Sequence, residues 1–212
     1  MTTYGDLKTR IKNEIGRTTD PDIDAAVVNA IADAIKYYSA SPFWFLETSQ
    51  DIANIVGTAS YSLPSDYRTM VSVSQSDETA GEDLIPLMPI QYARYRDLVS
   101  TSTTTTGRPY YYALYGETIL LYPTPNAVRY TRVYYTREIE ALSSDDGENA
   151  WTTVAEPLIR TRAKIDLFIN YIRDADGNEI QRLAAQEDVW LRQLLRRSSQ
   201  FQATGRVVPT CW

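Results

Sequence analysis

GRPYYYALYGETILLYPTP, residues 107–125, is crowded with tyrosine and closed by two prolines. Two readings fit that composition. Tyrosines gathered on one solvent-facing side would make a stacking platform for sugars or bases. The same residues also make an ordinary β-hairpin, because aromatic and branched side chains favour strands. Residues 110–115 read as one strand and 118–122 as its partner, with Gly116–Glu117 as a two-residue turn of the kind glycine permits. Tyr110, Tyr112 and Leu114 then point to one side, and Tyr111, Ala113 and Tyr115 to the other. Tyrosine on both faces fits a structural hairpin better than a platform. Pro123 and Pro125 stop the second strand, and AVRYTRVYYTR, residues 127–137, alternates as a third.

This β texture runs from about residue 46 to 140. TSQDIANI, SYSLP, YRTMVSVSQ and LIPLM are short, rich in branched or aromatic residues, and bounded by Gly, Pro, Ser and Asp. PIQYARYRDLVS reads as a short helix entered at Pro89, and STSTTTTG, residues 100–107, as a polar surface loop.

Helical periods flank it. Tyr4, Leu7, Ile11 and Ile15 form one apolar stripe, with Thr3 as N-cap, Asp6 in the first turn and Gly16 as terminator. Ile23, Val27, Ile31, Ile35 and Tyr38 form a second, opened by Asp20 as cap and Pro21 at the first helical position. The aromatic run in SPFWF, residues 41–45, reads as a buried plug. After the acidic loop SSDDGENA, residues 143–150, Thr153 and Glu156 stand at capping-box spacing. Leu158, Arg162, Ile165, Ile169 and Ile172 share the face of the helix that follows. Ile180, Leu183, Ala184, Leu191, Leu194 and Leu195 line the last one.

The expected fold is therefore α+β. N- and C-terminal helices form a bundle, and a β-rich hairpin and meander domain is inserted between them. The domains are 1–45, 46–145 and 146–198, with 199–212 as an extended docking tail. In that tail Phe201, Val207, Val208 and Trp212 are apolar enough to anchor a partner, and Pro209 pre-sets an extended backbone. Arg192, Arg196 and Arg197 make a basic end to the last helix. They complement the helix dipole or meet an acidic partner.

Composition removes whole classes of chemistry. The 212 residues contain no histidine and one cysteine, Cys211. Ser-His and Cys-His nucleophile pairs and the usual zinc ligand sets therefore cannot be built, nor can an internal disulfide. No phosphate-binding glycine loop or nucleophile elbow occurs. DADGNE, residues 174–179, fails as a calcium loop, with its glycine two places early and Ala185 where a bidentate glutamate belongs. Asp145, Asp146 and Glu148 read as a solvated loop, with a glycoside-cleaving pair as the alternative. No cofactor is expected, and no apolar run suggests a leader or a membrane span. Net charge is −6; residues 150–212 hold nine basic and seven acidic side chains, so residues 1–149 carry −8. Such a chain does not clamp duplex DNA.

YGDLKTRIKNEIGR, PFWF, YSLPSDY, the G-x-P-x-x-YALYG-x-x-I-x-LYPTP hairpin and AWTTVAEPLIRTRAKIDLF follow one another in this order. That order and spacing resemble the head-to-tail adaptor (connector) proteins of tailed bacteriophages. The resemblance implies a non-enzymatic virion protein at the neck, assembled in the host cytoplasm. It implies a homo-oligomeric ring, typically a dodecamer, between the portal protein and the tail nozzle or tube proteins, with duplex DNA passing through without specific binding. The alternative from the residues is a carbohydrate-binding or polysaccharide-degrading virion protein using the tyrosine-rich hairpin.

Overall fold

Thr3 and Asp6 close a reciprocal capping box. The Asp6 N–H donates to the Thr3 hydroxyl and the Thr3 N–H to the Asp6 carboxylate, both at 3.1 Å. The box opens α1 (Tyr4–Glu14) and is worth about 1 kcal/mol over an uncapped start. Tyr4, Leu7 and Ile11 are buried along it, and Gly16, at φ 69°, turns the chain after it. α2 (Ile23–Tyr38) buries the whole expected stripe, Ile23, Val27, Ile31, Ile35 and Tyr38. It begins two residues later than the sequence suggests. Asp20 caps the turn before it, its Oδ1 accepting the Asp22 N–H at 3.1 Å.

The computed structural model describes residues 2–76, 84–101, 105–172 and 177–205, the side chains of 202–205 excepted. The class is mixed α+β, with six α-helices and several sheets among the described residues. The chain divides into two compact units, Met1–Phe45 with Ile139–Trp212, and Leu46–Glu138.

Among its described residues the unit Leu46–Glu138 carries ten strands: β1 (Glu47–Ala53), β2 (Ser60–Ser62), β3 (Tyr67–Ser76), β4 (Ile85–Pro86), β5 (Met88–Pro89), β6 (Thr106–Gly107), β7 (Tyr111–Tyr115), β8 (Thr118–Tyr122), β9 (Thr124–Pro125) and β10 (Tyr130–Arg137). Helix α3 (Tyr92–Thr101) lies between β5 and β6. One sheet runs β1-β10-β3-β4 and another β2-β8-β7-β5, while β6 and β9 pair separately. Val73, Val133 and Tyr135 from the first sheet join Tyr112, Ile119 and Leu121 from the second in one core cluster. Each such side chain removed from water contributes about 1.5–3 kcal/mol.

The expected hairpin is β7–β8, turning at Gly116 with φ 58°. β10 alternates as expected, with Thr131, Val133 and Tyr135 buried. It is not a third strand of the hairpin sheet, however, since it pairs with β1 and β3. Pro123 and Pro125 cannot donate to a ladder, and the chain leaves the hairpin sheet there. Pro89 does not open α3; it sits in the edge strand β5 opposite Tyr112, where a missing N–H costs nothing. The polar stretch 100–107 is not all loop. Ser100 and Thr101 close α3 by donating to the Asp97 carbonyl at 3.0 and 2.7 Å. Thr106–Gly107 pairs with Thr124–Pro125. Residues 102–104 lie outside the described residues.

In the helical unit Phe43 is fully buried, stacked on Phe45 at 5.2 Å and edge-on to Trp151 at 6.1 Å. The acidic loop is tied to α1. The Tyr4 N–H donates to the Gly147 carbonyl at 3.0 Å, the Gly5 N–H to that of Asp145 at 2.9 Å, and Lys8 pairs with the Asp145 carboxylate. Thr153 does not cap the helix after it: it ends a short helix, and the next one starts after Ala155 with no side-chain cap. Asn149 caps the short helix. Its Oδ1 accepts from Trp151 and Thr152, and its own N–H donates to the Thr152 hydroxyl at 3.0 Å, opening α4 (Ala150–Thr153). Trp151 is inaccessible, with its indole N–H on the Ile139 carbonyl at 3.2 Å, and α4 begins one residue before it.

α5 (Glu156–Asp166) buries Leu158 and Ile165 as expected. From Leu167 to Ile172 the backbone widens into π-helix, which rotates the face. Leu167 turns inward, and Ile169 is left 53% exposed. α6 (Gly177–Gly205) spans 29 residues, about 43 Å at 1.5 Å per residue. Leu183 and Leu194 are buried, but Ala184 and Leu195 of the expected stripe are exposed. Residues 199–205 continue this helix where an extended tail was expected. Gln200, Gln202 and Ala203 are good helix formers.

Candidate interaction surfaces

α6 has two faces. One packs along α5, where Glu187 accepts from the Tyr38 hydroxyl and pairs with Arg162 at 3.5 Å. Burial and that carboxylate push the Tyr38 phenol far above its ordinary pKa. On the other side Arg182, Ala185, Val189, Arg192 and Arg196 recur at three- and four-residue steps, so they share a second face.

A groove of about 460 Å³ runs between this face and α5, floored by Thr161, Ala185, Val189 and Trp190. Three cations stand on its rim, and each already has a carboxylate. Arg160 and Lys164 reach Glu14 at 2.5 and 2.7 Å, and Arg182 reaches Glu179 at 2.5 Å. Burial pushes the Glu14 carboxyl up, but Lys164 and Arg160 outweigh it and hold the group below the usual carboxylate range. The hydrogen bond from Arg182 lowers Glu179 likewise.

Arg192 and Arg196 share a neighbouring hollow with Val189 and Gln193, and Arg192 grips Asp188 through two nitrogens at 3.1 and 2.5 Å. Arg197 lines a separate recess with Pro157 and Trp190. Phe201 stacks on Trp44. The structure thus brings two of the three arginines together and sets Arg197 and Phe201 apart. Val207, Val208, Pro209 and Trp212 lie outside the described residues. Sequence reasoning missed the groove, although Ala185, Val189 and Trp190, apolar residues off the predicted stripe, signalled it.

The hairpin tyrosines are largely used on one another. Tyr112 is buried, Tyr115 stacks on Tyr92 at 4.1 Å, and Tyr110 meets Tyr111 and Tyr122 edge-on. Among the described residues no three His, Cys, Asp or Glu side chains are grouped to hold a metal ion, and no helix is long and apolar enough to cross a membrane.

Fold and surfaces together define a mixed α+β protein with a groove and several arginines along a long helix. Residues 2–209 match the model of the SU10 adaptor protein family, and the chain belongs to that family. It is a phage structural adaptor, and membership implies a place at the neck of the virion in association with portal and tail proteins. No curated protein matches the chain.

Proposed function

We propose that this chain forms a homo-oligomeric ring, dodecameric like the adaptors it resembles, that joins the portal protein to the tail nozzle or tube. Duplex DNA passes through the ring without being bound specifically, and assembly takes place in the host cytoplasm. The carrying observation is the family match over residues 2–209. Charge supports the passive channel. Residues 1–149 carry −8, and like charge keeps phosphates from lodging on that part of the chain. The partner-facing part is the C-terminal end of α6 with the residues that follow. Arg192, Arg196 and Arg197 meet an acidic partner surface there, and Val207, Val208, Pro209 and Trp212 supply apolar anchors.

Electron microscopy of the chain mixed with its purified portal tests the reading directly. Rings capping the portal are expected. Replacing Arg192, Arg196 and Arg197 by glutamate, or removing residues 206–212, should abolish them. Portals that stay bare with the unaltered chain would overturn the proposal.

A further inference from the structure

One loop of the β unit, residues 54–58, has no charged side chain and forms an apolar tip. Ile55, Val56 and Val128 are 63%, 55% and 65% exposed. The loop that presents them is firmly held. The Asn54 N–H donates to the Arg129 carbonyl at 2.7 Å and the Gly57 N–H to that of Pro125 at 2.9 Å. Across its middle, the Tyr61 hydroxyl accepts the Ile55 N–H at 2.9 Å and donates to the Thr58 carbonyl at 2.7 Å. Gly57, at φ 81°, makes the reversal that a side chain would strain. Exposed apolar groups gathered in one place mark contact surfaces, and groups ordered beforehand lose little entropy on binding.

The α5–α6 groove has the complementary character. An acidic guest would compete with Glu14 and Glu179 for cations that are already paired, whereas an uncharged apolar guest leaves both pairings intact. Val189, 62% exposed, and Trp190 offer such a guest apolar wall. DNA is the wrong occupant for the same reason, since its phosphates would have to displace those carboxylates.

We infer that the Ile55–Val56 tip of one copy seats in the α5–α6 groove of the next copy. Tip and groove are different surfaces of one chain, so the contact is heterologous and propagates head to tail, closing into a ring where the rotation allows. A few side chains bury far less than the roughly 1,200 Å² of a stable interface. A single contact therefore does not hold two copies together in dilute solution; it adds up where many copies are lined up. The proposal rests on the ring reading above for that alignment alone.

Cysteine crosslinking tests it, in a Cys211→Ser background of the full chain. With Val56→Cys and Val189→Cys in the same chain, mild oxidation at high protein concentration, and again on portal, should produce a ladder of covalent oligomers. Mixing the two single variants should stop the ladder at dimers, and neither single variant should crosslink alone. Dimers from one single variant alone would mean a symmetric contact. A bond closing within one chain would mean that the tip occupies its own groove. Either result overturns the inference, as does the absence of crosslinks in both conditions. Ile55→Asp should leave the melting temperature unchanged and raise the concentration needed for crosslinking about tenfold or more, as expected for losing an anchor residue. Portal-bound rings are scored separately by microscopy. Rings without crosslinks would sink the inference alone, and crosslinks without rings would sink the adaptor reading alone.

Discussion

The ring of Phe201 stacks on that of Trp44, with centroids 5.4 Å apart and planes within 16° of parallel. The Trp44 N–H also donates to the Ser198 hydroxyl at 3.2 Å, so ring and backbone both hold the end of α6. The aromatic plug at residues 43–45 thereby anchors the last helix as well as the core.

Phe201→Ala should destabilise the isolated chain by about 1 kcal/mol, the usual worth of an aromatic pair. Urea unfolding against the parent chain tests this, and equal midpoints would contradict it.

Gly116 has nothing within 4 Å of the position a Cβ would take, yet its φ is +58°. Substitution there costs backbone strain and nothing else. Gly116→Ala should lose about 1–2 kcal/mol, while Gly116→Asn, which tolerates the left-handed region, should lose less. Thermal melts of both variants test the order.

Tyr135 is buried and donates to Asp66 at 2.8 Å. Burial and that carboxylate push its phenol up to about 12, from an ordinary 10.0. The neutral form is favoured in the folded state. The resulting stability is complete below pH 10 and is lost as pH rises from there toward 12. Tyr38, raised by burial and Glu187, acts in the same direction. Tyr135→Phe should flatten the alkaline loss, as read by denaturant midpoints across that range.

Glu14 works with the opposite sign. Its carboxyl lies below the ordinary 4.5 in the folded state, so its contribution is present above that pH and disappears as pH falls through the folded value. Glu14→Gln should therefore be less stable than the parent at pH 7, and the difference should vanish in acid. A gap that persists unchanged at low pH would refute the assignment.

Features set by near neighbours were legible in the residues alone. The stripes Tyr4–Leu7–Ile11 and Ile23–Val27–Ile31 repeat at helical period, Thr3 and Asp6 stand three apart, and Gly116 sits between two alternating runs. Each depends on bonds and contacts within a few positions, and those rules act before any tertiary packing exists. Of the candidate surface, the arginines of α6 were visible as a charge pattern, but the groove beside them was not. It needs Thr161 on one helix and Val189 on another, and no local rule brings these together. Only packing decided that β10 leaves the hairpin sheet for β1 and β3, that Thr153 ends α4 instead of capping α5, and that the π-turn exposes Ile169. In each case several local arrangements satisfy the same hydrogen bonds. The choice among them comes from burying large side chains such as Trp151 and Tyr135, and that gain exists only between segments far apart in the chain.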